Sequence, residues 1–231
     1  MTMSANSHTK LSAIAIHGGA GTILRANLTD ERERDIRAKL AESLRAGHDI
    51  LKFGGTAIDA VQAAIVVMED SPLFNAGKGA VYTHDGSHEQ DACLMDGATR
   101  NVGAVAAVKR IRNPILLARL VLDQSTHVLL SGEGAETFAT KNGMELVDDQ
   151  LYFDTEFRYQ QLQKAIAREK KQNKQHTRLD HSDLEDKIGT VGAIAVDTHS
   201  NLAAATSTGG MTNKRHGRIG DTPVIGAGTY A

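Results

Sequence analysis

The chain has one cysteine, three prolines and no tryptophan in 231 residues, and its aromatic content is 4%. A lone Cys93 excludes an internal disulfide, and no stretch reaches the roughly 18 consecutive apolar residues of a membrane-spanning helix. The opening ten residues contain no apolar run of signal-peptide type, so the cytoplasm is the expected compartment. Excess charge of either sign is also missing. A formal net charge of −2 gives no electrostatic reason to expect nucleic acid or an anionic membrane as partner. What remains is a chain 41% hydrophobic and 23% charged, the composition of one ordinary globular domain over 1–231. Its 22 glycines cluster at element ends and in short motifs, which points to tight turns and close backbone approach.

Periodicity predicts alternating strands and helices. Ser12–His17 reads as a buried strand closing on Gly18, Gly19 and Gly21. A helix capped by Thr29 follows, with Ile36, Leu40, Leu44 and Leu51 on one face and Gly54-Gly55 as its stop. Thr56 with Asp59 opens a second helix to about Val67, apolar nearly all round and therefore buried. Val102–Val108 and 127–130 read as strands, 115–122 as a helix after Asn113-Pro114, and a further helix begins near Glu133. From Tyr159 the pattern is a helix fraying into a polar linker over about 160–189. Two alternating strands, Val191–Val196 and Leu202–Thr208, close the pattern as a hairpin. The fold class is α/β with helices packed on sheet.

Between linker and hairpin stands Gly189-Thr190-Val191-Gly192. Alone, a Gly-Thr pair merely opens a strand. After cleavage of the Gly189–Thr190 bond, however, Thr190 carries a hydroxyl nucleophile and its own α-amine, whose pKa of about 7.7–8.0 suits a general base. Downstream, Thr206-Ser207-Thr208-Gly209-Gly210 is followed by Gly217-Arg218-Ile219-Gly220-Asp221. A guanidinium grips a carboxylate with two hydrogen bonds, and an aspartate three residues later supplies the opposite charge, so Arg218 and Asp221 together suit an amino-acid head group. An exposed ion pair is the plain alternative. His17-Gly18-Gly19-Ala20-Gly21 lacks the ending of a phosphate loop and reads as a packing turn. His84, His88 and Asp91 have metal-compatible spacing but fall in a glycine-containing turn.

Together with Pro72-Leu73-Phe74-Asn75-Ala76-Gly77, these strings resemble the plant-type asparaginase and isoaspartyl peptidase family of threonine-type N-terminal nucleophile hydrolases. The resemblance runs from about Ala13 to the end and implies a four-layer αββα sandwich. It implies self-cleavage at Gly189–Thr190 into an α-like segment (1–189) and a β-like segment from 190, the heterodimer pairing into a dimer of heterodimers. Thr190 then attacks β-aspartyl amide bonds of isoaspartyl dipeptides or asparagine, Thr208 hydrogen-bonds the nucleophile, Arg218 and Asp221 hold the substrate, and Asn75 supports the site. No cofactor is required. The resemblance also implies a structural sodium held by main-chain carbonyls of Met68, Glu69, Ser71, Phe74, Ala76 and Lys78. Relatives of this type continue past Ala231 with further sheet, a helical layer and an oxyanion donor, so the sandwich is expected to be incomplete on the β-subunit side. A non-catalytic relative that keeps ligand or partner binding, and an unrelated metal- or phosphate-binding protein, are the alternatives.

Overall fold

The computed structural model describes residues 11–19, 28–174 and 189–231. One six-stranded sheet carries the fold, in the order β1-β5-β6-β2-β3-β4. The strands are β1 (Ala13–His17), β2 (Gln90–Asp96), β3 (Asn101–Val108), β4 (Leu129–Ser131), β5 (Val191–Val196) and β6 (Leu202–Thr208). All neighbours pair antiparallel except β3 with β4. The helices are α1 (Asp30–Lys52), α2 (Ala57–Glu69), α3 (Pro114–Gln124), α4 (Gly132–Lys141) and α5 (Glu156–Lys174).

Because strand side chains alternate, register decides what each face carries. Val191, Ala193 and Ala195 of β5, Ala203 and Ala205 of β6, and Ala92 and Leu94 of β2 form one core with Val61, Ala64, Ile65 and Met68 of α2 and Leu117, Ala118 and Val121 of α3. The many alanines let α2 lie close to the sheet. The opposite face carries Thr190, Gly192, Ile194, Ala204, Thr206 and Thr208 by the same alternation. It is covered only in part among the described residues: Ile194 and Leu202 are 59% and 54% exposed.

Local chemistry explains the element ends. The Thr29 hydroxyl accepts from Arg32 N at 3.2 Å, and Asp30, Glu31 and Glu33 fill the first turn of α1, where the helix dipole favours acids. Thr56 accepts from Asp59 N at 3.3 Å and donates to the Asp59 carboxylate at 2.7 Å, starting α2. The expected apolar face of α1 needs one correction, since Leu44 is 40% exposed. The contact line passes through Ser43 and Gly47 instead, both buried, and the Ser43 hydroxyl donates to Ala64 O of α2 at 2.7 Å. Small residues there let two helices approach where a leucine would hold them apart. The strand predicted at 127–130 begins two residues later, and α5 continues to Lys174, so the first half of the expected linker is helical. Positions 175–188 lie outside the described residues. No helix among the described residues is long and apolar enough to cross a membrane.

Leu94 lies fully buried between α2 and α3. Leu94→Ala is expected to lower stability by about 2–5 kcal/mol, read as an earlier urea unfolding midpoint.

Candidate active site

Thr190 stands immediately before β5, and its hydroxyl lies 3.2 Å from that of Thr222. Val191 pairs with Ser207, so continuing the register by one residue sets Thr190 opposite Thr208. Thr208 in turn pairs with Asp91 on β2. Three polar residues thus form one row across β5, β6 and β2, at one end of the sheet. The hydroxyl within hydrogen-bond distance of Thr190 is that of Thr222, which sequence reasoning missed. Thr208, expected as the hydrogen-bond partner, stands opposite in register, and its hydroxyl accepts from Gly210 N at 2.9 Å. Thr222 is itself buried, and its carbonyl accepts from the hydroxyls of Thr206 and Thr229 at 3.4 and 3.3 Å. A threonine in a loop has no periodic signal that would have picked it out.

Asn75 is buried, and its main chain and amide both bind the loop after β6. Its Nδ2 donates to Gly210 O at 2.8 Å, its Oδ1 accepts from Val81 N at 3.0 Å, and its carbonyl accepts from Gly209 N at 3.0 Å. These contacts make it a support for the Gly209-Gly210 turn. The stretch it bridges to is anchored in turn by buried Arg158, whose Nε donates to Gly79 O at 2.7 Å.

Arg218 and Asp221 lie on the exposed loop that follows. The Arg218 guanidinium rests against Gly210 and Gly220: a methyl group at either would come within 3.3 and 3.0 Å of its Nη1. The glycine pair at 18 and 19 packs as expected of a turn. A methyl on Gly18 would strike the Phe74 ring at 2.7 Å, and Gly19 lies against the main chain of Gly189, the residue before Thr190. His84 pairs through Nδ1 with the Asn213 side-chain oxygen, and His88 bridges Ala80 O and the Asp154 carboxylate. Among the described residues no three His, Cys, Asp or Glu side chains cluster as metal ligands.

The positions named for a cation occupy the end of α2 and the turn after it. Their second feature is the Glu69 side chain, a link that sequence reading did not find. Fully buried, it accepts from the Ser207 hydroxyl at 2.6 Å and from Ile115 N at 3.0 Å, joining α2, β6 and the first turn of α3. Burial pushes its carboxyl up to about 8, against the pull of those hydrogen bonds.

The asparaginase family model matches residues 10–231. The chain belongs to this family. It is 51% identical over 224 residues to an isoaspartyl peptidase of Escherichia coli (strain K12), covering 95% of this chain and 68% of that protein. A Salmonella typhimurium isoaspartyl peptidase is 52% identical over 224 residues, covering 95% and 69%. An isoaspartyl peptidase/L-asparaginase of Bos taurus is 41% identical over 218 residues, covering 94% and 67%.

A native Glu69 that keeps its proton to about pH 8, against an unfolded value of 4.5, binds more protons folded than unfolded across that window. This group's contribution therefore makes stability fall as pH rises from about 4.5 to 8. In thermal melts at pH 5 and pH 8, Glu69→Gln is expected to reduce that fall relative to wild type.

Proposed function

We propose that this protein is a threonine amidohydrolase that hydrolyses β-aspartyl amide bonds, in isoaspartyl dipeptides and L-asparagine, after cutting itself at Gly189–Thr190. The observation that carries the reading is the place of Thr190. It heads β5 directly after a glycine and beside a second hydroxyl, in a chain about half identical to isoaspartyl peptidases.

In maturation, the Thr190 hydroxyl adds to the Gly189 carbonyl, the C–N bond breaks as the new ester forms, and water hydrolyses the ester. The products are a carboxylate on Gly189 and a free α-amine on Thr190. Nucleophile and base then share one residue, so their geometry is set without a third group. In turnover the amine takes the hydroxyl proton as oxygen attacks the β-carbonyl, then delivers it to the departing ammonia or amino acid. Water, deprotonated by the same amine, resolves the acyl-enzyme. Thr222 and Thr208, the hydroxyl beside Thr190 and the residue opposite it in register, orient the nucleophile in this scheme. Arg218 takes the substrate α-carboxylate and Asp221 its α-ammonium.

The six-stranded sheet with its helices is read as half of an αββα sandwich, and exposed Ile194 and Leu202 on the face away from α2 support a second sheet there. The segments 1–189 and 190–231 would then be parts of two subunits, paired as a dimer of heterodimers. A compartment that keeps thiols reduced, such as the cytoplasm, suits the buried free thiol of Cys93.

We also assign a structural sodium to the main-chain carbonyls of Met68, Glu69, Ser71, Phe74, Ala76 and Lys78. The turn is wound tightly enough for this. A methyl at Gly77 would lie 2.1 Å from Glu69 O, and one at Gly79 would lie 2.1 Å from Phe74 O. Neutral carbonyl oxygens suit a hard cation, although Met68 O and Ala76 O each already accept a backbone N–H. When bound, the ion offsets the convergence of carbonyl dipoles, and the turn then holds Asn75 against the Gly209-Gly210 stretch.

Purified wild-type protein is expected to show two fragments on denaturing electrophoresis, the second with the N-terminal sequence Thr-Val-Gly-Ala. Thr190→Ala is expected to remain a single chain with no β-aspartyl hydrolysis above background. An uncut wild type that still turns over, or an active Thr190→Ala, overturns the reading.

A further inference from the structure

The chain between β6 and Arg218 is wound into two tight turns, and both set a non-glycine residue in the left-handed region. Across the first, Lys214 N donates to Met211 O at 3.2 Å, and Asn213 has a φ of +64°. Across the second, Arg218 N donates to Arg215 O at 3.0 Å, and His216 and Gly217 have φ of +58° and +66°. Asparagine and histidine tolerate that region better than most side chains, but such a conformation persists only where its surroundings fix it. The position of Arg218 therefore depends on what grips residues 213–215.

Two elements of the 1–189 segment do so. In the turn before β2, Tyr82 O accepts from Asn213 N at 2.9 Å, His84 N donates to Lys214 O at 2.9 Å, and His84 Nδ1 meets Asn213 Oδ1 at 2.7 Å. On α5, a single carboxylate oxygen takes two side chains. Glu169 Oε2 accepts from Asn213 Nδ2 at 3.1 Å and from Arg215 Nη2 at 3.0 Å. Arg215 is thus bound to α5 by its side chain and to Arg218 N by its carbonyl. Beyond that turn the Arg218 guanidinium lies against Gly210, whose N–H donates to the Thr208 hydroxyl; a methyl at Gly210 would come within 3.3 Å of Nη1.

We infer that Glu169 is a positioning residue for substrate binding: its carboxylate clasps Asn213 and Arg215, so that α5 holds the turn that presents Arg218 to the substrate α-carboxylate. This rests on the function proposed above. On that reading the cut at Gly189–Thr190 leaves Glu169 and Arg215 on different chains, and the clasp joins them across the break. Glu169 touches no reacting atom. Its loss falls on the binding of any ligand that carries the α-carboxylate, substrate or product, and spares the chemistry.

Glu169→Ala removes both hydrogen bonds, and because alanine is the better helix former the change does not weaken α5 itself. The variant is expected to cut itself as wild type does and to keep kcat within about twofold. KM for an isoaspartyl dipeptide and Ki for L-aspartate are expected to rise together, by about three- to tenfold. Arg215→Met alone is expected to raise KM about threefold, and to add less than about 1.5-fold in the Glu169→Ala background, since the contact is already gone. A fall in kcat with KM unchanged, a rise in KM without one in Ki, or two losses that simply multiply overturns the inference. If wild-type protein hydrolyses no β-aspartyl bond, the proposed function fails, and amide hydrogen exchange decides the clasp separately. Faster exchange over 213–218 in Glu169→Ala supports it, and unchanged exchange there overturns it.

Discussion

The antiparallel register that binds β5 to β6 and β6 to β2 is the constraint on which the site depends. It places Thr190, Thr208 and Asp91 in one row and sends Val191, Ser207 and Ala92 to the helical side. A slip of one residue would exchange the two sets, burying the hydroxyl of Thr190 under α2 and exposing the alanine-rich core. Small side chains fix the register from below. Ala193, Ala195, Ala203 and Ala205 leave room for α2 to lie close, and no larger residue on the other face could take their place there.

Buried polar groups then tie that row to the loops around it. Glu69 reaches from the end of α2 to Ser207 on β6 and to the first turn of α3. Asn75 takes hold of both Gly209 and Gly210, the residues directly after Thr208. Each such group would be costly if left unpaired in the interior, so each specifies one arrangement of the segments it joins. The end of α2, the turn following it and the nucleophile strand are therefore mechanically one unit.

Much of this was legible in the residues. The caps at Thr29 and Thr56, the amphipathic stripe of α1 and the alternation of β5 and β6 all carry local signals, and the helices and hairpin lie close to where those signals put them. β2 escaped because it is buried on both faces and begins with Gln90-Asp91, so it shows neither alternation nor an apolar start. The stripe of α1 misled at Leu44 because the closest helix contact is made by Ser43 and Gly47, residues that hydrophobic periodicity ignores. At the site, Thr190, Thr208, Arg218 and Asp221 stood out through motif context. Thr222 and the Glu69 side chain did not, because partners dozens of residues away give them their meaning.

The sequence by itself determined the kinds of element, their order and the chemistry available: a threonine after a glycine, a guanidinium and a carboxylate in a glycine-bracketed loop, and a family whose motifs occur in sequence. Those properties are local, set by backbone preference and side-chain type over a few residues. Only the tertiary structure decided that Thr190 faces Thr222, that Asn75 spends its amide on the Gly209-Gly210 turn, and that Asp91 lies opposite Thr208, more than a hundred residues away along the chain. Such pairings follow from strand register and from the cost of leaving buried polar groups unpaired, and both are properties of the packed whole that no short window of residues contains.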